Sequence, residues 1–202
     1  MGFFQNTCKP EGLGGKLMVQ MMNSGHGNMA KWGFSNIKVS DNANILDIGC
    51  GGGANINNWL KLCKKGHVTG IDYSEVSVEV SSNKNKKAIL ENSCDVFLGN
   101  VLELDFNDET FDVVSAFETI YFWPKIEKSF LQVYRVLKSG GKFIICNEFD
   151  GTNPKDEKWT NYIQGMTIYT EETLCNLLSS VGFHDLEVHH TKSNWICIIA
   201  KK

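Results

Sequence analysis

The sequence predicts an α/β fold: a seven-stranded mixed sheet with helices on both faces and an antiparallel hairpin at the C-terminal end. Three observations carry this. Short apolar runs alternate with stretches of helical period over residues 44–146, the pattern of right-handed βαβ units and a parallel sheet. The run FDVVSAF (111–117) is apolar almost throughout, as a strand buried on both faces must be. The last two runs, 185–190 and 194–200, are separated by too few residues for a parallel crossover, so they pair antiparallel.

The elements follow in order. Within Lys16–Trp32, Leu17, Met18, Met21, Met22, Met29 and Trp32 fall roughly on one helical face, which predicts a helical lid over residues 1–42. Asn44–Ile48 is the first strand. Behind it, Ile56, Trp59, Leu60 and Cys63 recur at helical spacing, and Lys64, Lys65 and Gly66 stop that helix. Val68–Ile71 is the second strand, closed by Asp72, and Ser74 caps a helix running to about Glu91. Asp95–Leu98 and Phe111–Phe117 are the third and fourth strands. Pro124 opens a helix to about Leu137, where its missing N–H costs nothing. A turn at Ser139–Gly141 leads into the fifth strand, Lys142–Cys146. Thr170 caps the last helix and Gly182 ends it before the hairpin. Residues 149–169 interrupt the alternation and carry Trp159, Tyr162, Met166 and Tyr169, predicting a second lid. The organisation expected is one domain: a lid (1–42), a ligand-binding core (43–148), a lid insertion (149–169), and a helix with a terminal hairpin (170–202).

Composition narrows the function classes. At 202 residues, 42% hydrophobic and 21% charged, the chain is an ordinary globular one, which excludes disorder and fibrous repeats. A net charge of −3 with scattered basic residues gives no stripe for nucleic acid. The longest purely apolar run, Trp195–Ala200, falls far short of the roughly 18 residues of a membrane span. The start MGFFQNTCKP lacks a basic-then-apolar signal pattern, and Asn6 stands where a myristoylation motif after Gly2 needs Ser or Thr. Seven cysteines without a close C-x-x-C pair read as reduced thiols in a cytoplasmic protein.

GCGGGA (49–54) satisfies G-x-G-x-x-A, a weak dinucleotide signature. Two features argue for a different nucleotide-like ligand. Asp47 sits directly before the glycines, where its carboxylate repels phosphate but pairs with an ammonium group. The residues that follow also lack a second βαβαβ half for a nicotinamide. S-adenosylmethionine meets these demands: its ammonium near Asp47, its carboxylate at the helix start after Gly53, its ribose at Asp72.

At this point the sequence resembles the class I S-adenosylmethionine-dependent methyltransferases, of the small-molecule, type 11 kind, over residues 43–200. ILDIGCGGG (45–53) resembles the family's first motif and GIDYS (70–74) its ribose-binding strand. GNVLELDF (99–106) resembles the adenine-contacting segment. FDVVSAFE (111–118) and VLKSGGKFIICNE (136–148) resemble the fourth and fifth strands. The resemblance implies a Rossmann-like sheet and a donor site of Asp47, Gly49, Gly51, Asp72, Tyr73, Asn100, Val101 and Phe117. Asn100 departs from the family's usual Asp, though its carbonyl still accepts a hydrogen bond.

Methyl transfer is an in-line displacement that needs alignment first and a base only when the nucleophile must lose a proton. Three residues are candidates for work on the acceptor. Glu118 follows the fourth strand, Tyr121 lies on the same loop, and His26 sits in a glycine-flanked break of the N-terminal helix. Each has a plainer reading as a solvated or structural group. Phe122 reads as core packing, while Trp123 either offers a ring face to a flat or cationic substrate or plugs the pocket and packs on the following helix. No metal is expected: Asn147 and Glu148 beside Glu118 do not match a metal-ligand spacing cleanly, and adjacent His189 and His190 point to opposite faces of a strand. Cys8, Cys50 and Cys63 show no clustered spacing for metalloid chemistry. The function expected is methyl transfer to a small-molecule acceptor by a monomer or homodimer, with neither nucleic acid nor membrane as partner. Methylation of a protein or RNA, a non-enzymatic module that binds the donor, and a nicotinamide dehydrogenase stay open as alternatives.

Overall fold

The computed structural model describes residues 7–202, the side chains at 13, 20 and 22–24 excepted. Gly2, Asn6 and the Met22 side chain lie outside the described residues. The seven strands are β1 (Asn44–Ile48), β2 (His67–Asp72), β3 (Cys94–Leu98), β4 (Phe111–Phe117), β5 (Leu137–Asn147), β6 (His184–His190) and β7 (Ile196–Lys201). They form one sheet in the order β3-β2-β1-β4-β5-β7-β6. β1 to β5 pair in parallel, while β7 runs antiparallel to both β5 and β6, as the hairpin argument requires. The chain winds outward from β1 to β3 and then returns to β4 on the other side of β1. The crevice above the β1/β4 carboxyl ends is therefore the topological switch point, where such sheets bind ligands.

Each strand sends alternate residues to opposite faces, which gives two cores. On one face Leu46, Ile48, Val114, Ala116, Phe143 and Ile145 pack under α6 (Ile126–Val136) and α8 (Glu171–Val181). On the other, Ile45, Val113, Phe117 and Ile144 pack under α2 (Gly27–Ser35) and α3 (Ala54–Leu62). α1 (Gly12–Gly25) lies against α4 (Glu75–Lys84), which covers β2 and β3.

Three elements differ from the sequence reading, each for a local reason. The helix expected from Ser74 to Glu91 is two, α4 and α5 (Lys86–Leu90), broken at Asn85. The buried Asn85 amide donates to the carbonyls of Gly53 and Ser81 (3.1 and 3.0 Å), so the break ties the helix to the glycine loop. The helix expected from Pro124 begins at Ile126, because Lys125 adopts φ +47°. The turn at 139–141 is an irregularity inside β5: Phe111 pairs with Leu137 but Val113 with Lys142. The N-terminal helical stretch is two helices parted at His26, where its flanking glycines place a break. Its apolar face is accordingly not continuous: Met18 and Met29 are buried, while Leu17 and Met21 are exposed.

Residues 149–169 hold a short helix, α7 (Glu157–Tyr162), and a cluster of Ile163 and Met166 packed with Tyr121, Phe149 and Trp159. At the far end His190 Nε2 lies 2.8 Å from Glu171 and Nδ1 3.7 Å from Asp150, a polar contact between the hairpin and α8.

Phe130 is fully buried, edge-on to Trp123 and Phe143 (6.1 and 5.6 Å). Phe130→Ala should cost about 3–5 kcal/mol of unfolding free energy, from lost burial plus a cavity. Urea denaturation followed by circular dichroism measures it; a loss under 1 kcal/mol would mean that the α6 core is not the one described.

Candidate active site

A cavity of about 790 Å³ opens at the switch point, and it joins two chemically different ends. The first is built on the glycine loop. The N–H groups of Gly49 and Cys50 both donate to the Ile71 carbonyl (2.8 and 3.0 Å), hooking the loop onto the end of β2. Gly49 has φ +73°, and a Cβ there would lie 2.6 Å from Thr119 Cγ2, so glycine is required both by conformation and by space. Asp72 braces the loop. Its carboxylate accepts the Gly51 N–H and the Ser74 N–H, each at 2.9 Å, with the Ser77 hydroxyl and the Tyr73 N–H also directed at it. Burial raises the Asp72 pKa, opposed by these N–H groups.

A strap of the N-terminal segment crosses this end. Ser74 Oγ donates to the Pro10 carbonyl (2.7 Å), and the Tyr73 hydroxyl donates to the Cys8 carbonyl. Cys8 and Pro10 line the cavity. Nothing in the period of the N-terminal sequence marks this contact. Of the eight donor residues expected, Gly49, Gly51, Asp72, Tyr73, Asn100, Val101 and Phe117 line the cavity. Asn100 Oδ1 already accepts the Leu102 N–H (3.0 Å). Phe117 stacks on Phe34 of α2 (4.9 Å).

Asp47 is placed otherwise than expected. It does not line the cavity but lies beneath it, 2% exposed. Trp59 donates its indole N–H to Ser115 Oγ (3.0 Å), and Ser115 donates to Asp47 Oδ1 (2.6 Å). Asp47 Oδ2 has no hydrogen-bond partner. Burial, helped by the charge of Asp72 and opposed by the Ser115 hydroxyl, pushes the Asp47 carboxyl up to about 7.

The second end gathers residues from three distant segments. Glu118, just past β4, is left-handed (φ +61°), a strained conformation for a residue with a Cβ. Its Oε1 accepts the Tyr121 hydroxyl (3.2 Å) and the Glu148 N–H, while Tyr121 in turn accepts the Phe149 N–H (3.0 Å). Glu118 Oε2 faces His26 Nδ1 at 3.3 Å, and Glu148 Oε1 lies 3.8 Å from the same nitrogen. Burial alone would lower the His26 pKa; the contact with Glu118 and the charges of Glu118 and Glu148 outweigh it and leave the pKa raised. Glu148 is raised by burial and by Glu118, with His26 opposing. The structure brings His26, Glu118 and Tyr121, separate candidates in the sequence, to one end of the cavity. Glu148 joins them as a fourth member, which sequence reading had weighed only for a metal. Atoms of His26, Glu118 and Glu148 lie within 4.8 Å of one another, close enough to share a cation. The walls are aromatic: Tyr121, Phe149 and Trp159 follow one another at 5.9 and 6.4 Å. Trp123 instead packs on Phe143 and donates to Thr119.

Residues 46–145 match the model of a methyltransferase domain. The putative methyltransferase YrhH of Bacillus subtilis is 32% identical over 169 residues, covering 84% of this chain and 83% of the relative. The chain belongs to the methyltransferase-domain family. The 24-methylenesterol C-methyltransferase 3 of Arabidopsis thaliana is 34% identical over 132 residues, 64% of this methyltransferase chain and 36% of the relative. The chain spans only 36% to 46% of the length of the plant and nematode sterol methyltransferases it matches. The structure of a SAM-dependent methyltransferase from Aquifex aeolicus superposes with a TM-score of 0.76 at 18% identity, over 92% of this chain and 97% of that one.

The family's cofactor is S-adenosylmethionine, and the residues present fit it. A Cβ at Gly51 would meet nothing within 4 Å, so the loop leaves open space above it, beside the Asp72 carboxylate. The orphan Oδ2 of Asp47 is an acceptor suited to an ammonium group.

Two predictions concern the donor-free protein. The Asp47 pKa is raised in the folded state, from 3.8 to about 7, so its contribution to stability is complete below pH 4 and lost as pH rises through 7. Wild-type protein should lose about 2–3 kcal/mol between pH 5 and pH 8 that Asp47→Asn retains. Parallel urea titrations of the two proteins report the difference, and equal pH slopes would refute the assignment. Second, Glu118→Gln should lower the His26 pKa, since burial then acts with less opposing charge. An NMR titration of the His26 imidazole, assigned with His26→Gln, would show no change if the Glu118 contact were absent.

Proposed function

We propose that this chain transfers the methyl group of S-adenosylmethionine to a small, largely apolar acceptor held at the aromatic end of the cavity. The observation that carries this reading is the continuity of one cavity from the glycine loop and Asp72 to the Glu118–Tyr121–His26–Glu148 cluster. The bound donor supplies a methyl group made electrophilic by a positively charged sulfur. The protein's part is to align acceptor and methyl, worth on the order of 7–11 kcal/mol, and to manage charge and protons around them. Tyr121 and the Glu148 N–H fix one oxygen of Glu118. Its other oxygen, beside His26, is thereby placed to take a proton from an acceptor that must lose one. Trp159, Ile163 and Met166 line the cavity and supply apolar wall there.

The apolar lining supports a small apolar acceptor, and the sterol and squalene methyltransferases among the chain's relatives agree with it. Among the described residues no helix is long and apolar enough to cross a membrane. Free cysteines, five of the seven buried, support a reducing compartment such as the cytoplasm.

Incubation with methyl-labelled S-adenosylmethionine and fractionated lysate should place label in the low-mass fraction. Label in protein or RNA would overturn the small-molecule reading. Asp72→Ala should weaken S-adenosylhomocysteine binding about 10–100-fold by calorimetry, the worth of hydrogen bonds to a charged group. With an acceptor in hand, Glu118→Gln should lower turnover about 10²–10⁴-fold with donor affinity unchanged; full turnover would remove Glu118 as the base.

A further inference from the structure

The charge of the acceptor end identifies the class of atom that takes the methyl group. Among the described residues lining the cavity, the carboxylates are Asp72, Glu118 and Glu148. No Lys or Arg is among them, and His26 is the single basic side chain. Glu118 Oε2 and Glu148 Oε1 approach the same His26 nitrogen, at 3.3 and 3.8 Å. One imidazolium carries one positive charge, so it cannot neutralise both. The mutual repulsion shows in Glu148, whose pKa burial and the Glu118 charge hold above the ordinary carboxylate value. A cation between them relieves that cost. The neighbouring rings of Tyr121 and Phe149 favour a cation for an independent reason, the negative face of an aromatic ring, and the Trp159 ring beyond them already carries one, the Lys158 ammonium 5.1 Å from its centroid.

Transfer creates such a cation when the acceptor starts neutral. The acceptor's electron pair forms the new bond to the methyl carbon, and the carbon–sulfur bond breaks with its pair left on sulfur. The positive charge then resides on the acceptor. An anionic acceptor would end neutral, and before transfer it would face two carboxylates with no Lys or Arg to receive it.

Resting on the methyl-transfer reading above, we propose that the reacting atom of the acceptor is uncharged before transfer and positively charged after it, with Glu118 and Glu148 as its countercharge. Amine nitrogens and alkene carbons share this chemistry. Carboxylic acids, phosphates and ionised thiols do not.

The test uses protein saturated with S-adenosylhomocysteine and three probes with the same branched head. These are choline (cationic), 3,3-dimethylbutan-1-ol (neutral) and 3,3-dimethylbutanoate (anionic). Calorimetry should show choline binding about tenfold more tightly than the alcohol, and no saturable binding of the butanoate. Glu148→Gln and Glu118→Gln should each reduce the preference for choline over the alcohol while S-adenosylhomocysteine binding persists. Equal affinity for choline and the alcohol, absent choline binding, or tighter binding of the anion would overturn the proposal. Displacement of choline by millimolar Mg²⁺ would overturn it too, by assigning the carboxylates to a metal ion. Loss of S-adenosylhomocysteine binding in the wild type would instead sink the methyl-donor reading, so the two failures are distinguishable. Label from the donor in an amine fraction or a hydrocarbon fraction then tells the two acceptor sources apart.

Discussion

The site depends on the close approach of two strand ends. β1 and β4 are neighbours, and their chains leave the sheet at the same level, so Gly49 and Thr119 must pass within van der Waals contact. The Thr119 hydroxyl donates to the Ile48 carbonyl (3.2 Å) and accepts the Trp123 indole N–H (2.9 Å), fixing the loop after β4 against the loop after β1. A side chain at 49 would push these loops apart. Everything that faces the cavity from above depends on that spacing. The left-handed turn at Glu118 follows immediately, and Tyr121 stands three residues on.

Below the junction the same two strands are joined by a buried polar chain, from the Trp59 indole through Ser115 to Asp47. Burial makes it costly to leave such groups unpaired, and one oxygen of Asp47 is unpaired. The protein thus stores an unmet hydrogen-bonding demand directly beneath its glycine loop. In a structure held together chiefly by two apolar cores, this is the place where stability and ligand affinity are exchanged. A cationic group brought near Asp47 would stabilise the charged form that the empty protein resists.

The sheet was legible because strands buried on both faces are apolar runs, and because glycine, proline and capping residues mark where they stop. Boundaries set by tertiary contact were not. Asn85 breaks a helix that the local sequence favours because its amide is claimed by Gly53, 32 residues away. Lys125 takes a left-handed conformation that no local signal announces. In the site, the glycine loop and Asp72 were readable because a backbone turn and a strand-end carboxylate leave a fixed spacing. The acceptor end was readable only as separate candidates. His26, Glu118 and Glu148 are brought together because the junction of α1 and α2 lies against the ends of β4 and β5. Neither that packing nor the strap through Cys8 and Pro10 follows from periodicity. Asp47 stands out in the sequence as a carboxylate before the glycines, but its depth follows from the packing of α3 over β1, which the linear sequence does not contain.

The charges of the cavity make sense as one design. A sulfonium donor brings a positive charge into a space whose described lining holds three carboxylates and no Lys or Arg. On the proposed reading that charge would pass from the donor end, lined by Asp72, to the acceptor end, lined by Glu118 and Glu148. Fixed charges already in place need no reorganisation as it moves, which is the condition under which electrostatic stabilisation acts most strongly in a site that excludes water. His26 tempers this field. Carried on the break between α1 and α2, it brings a partial countercharge that holds the two glutamates together in the empty protein. The carboxylates proposed to receive the acceptor's charge are the same ones that face His26, so a cation bound there would compete with the imidazole for them.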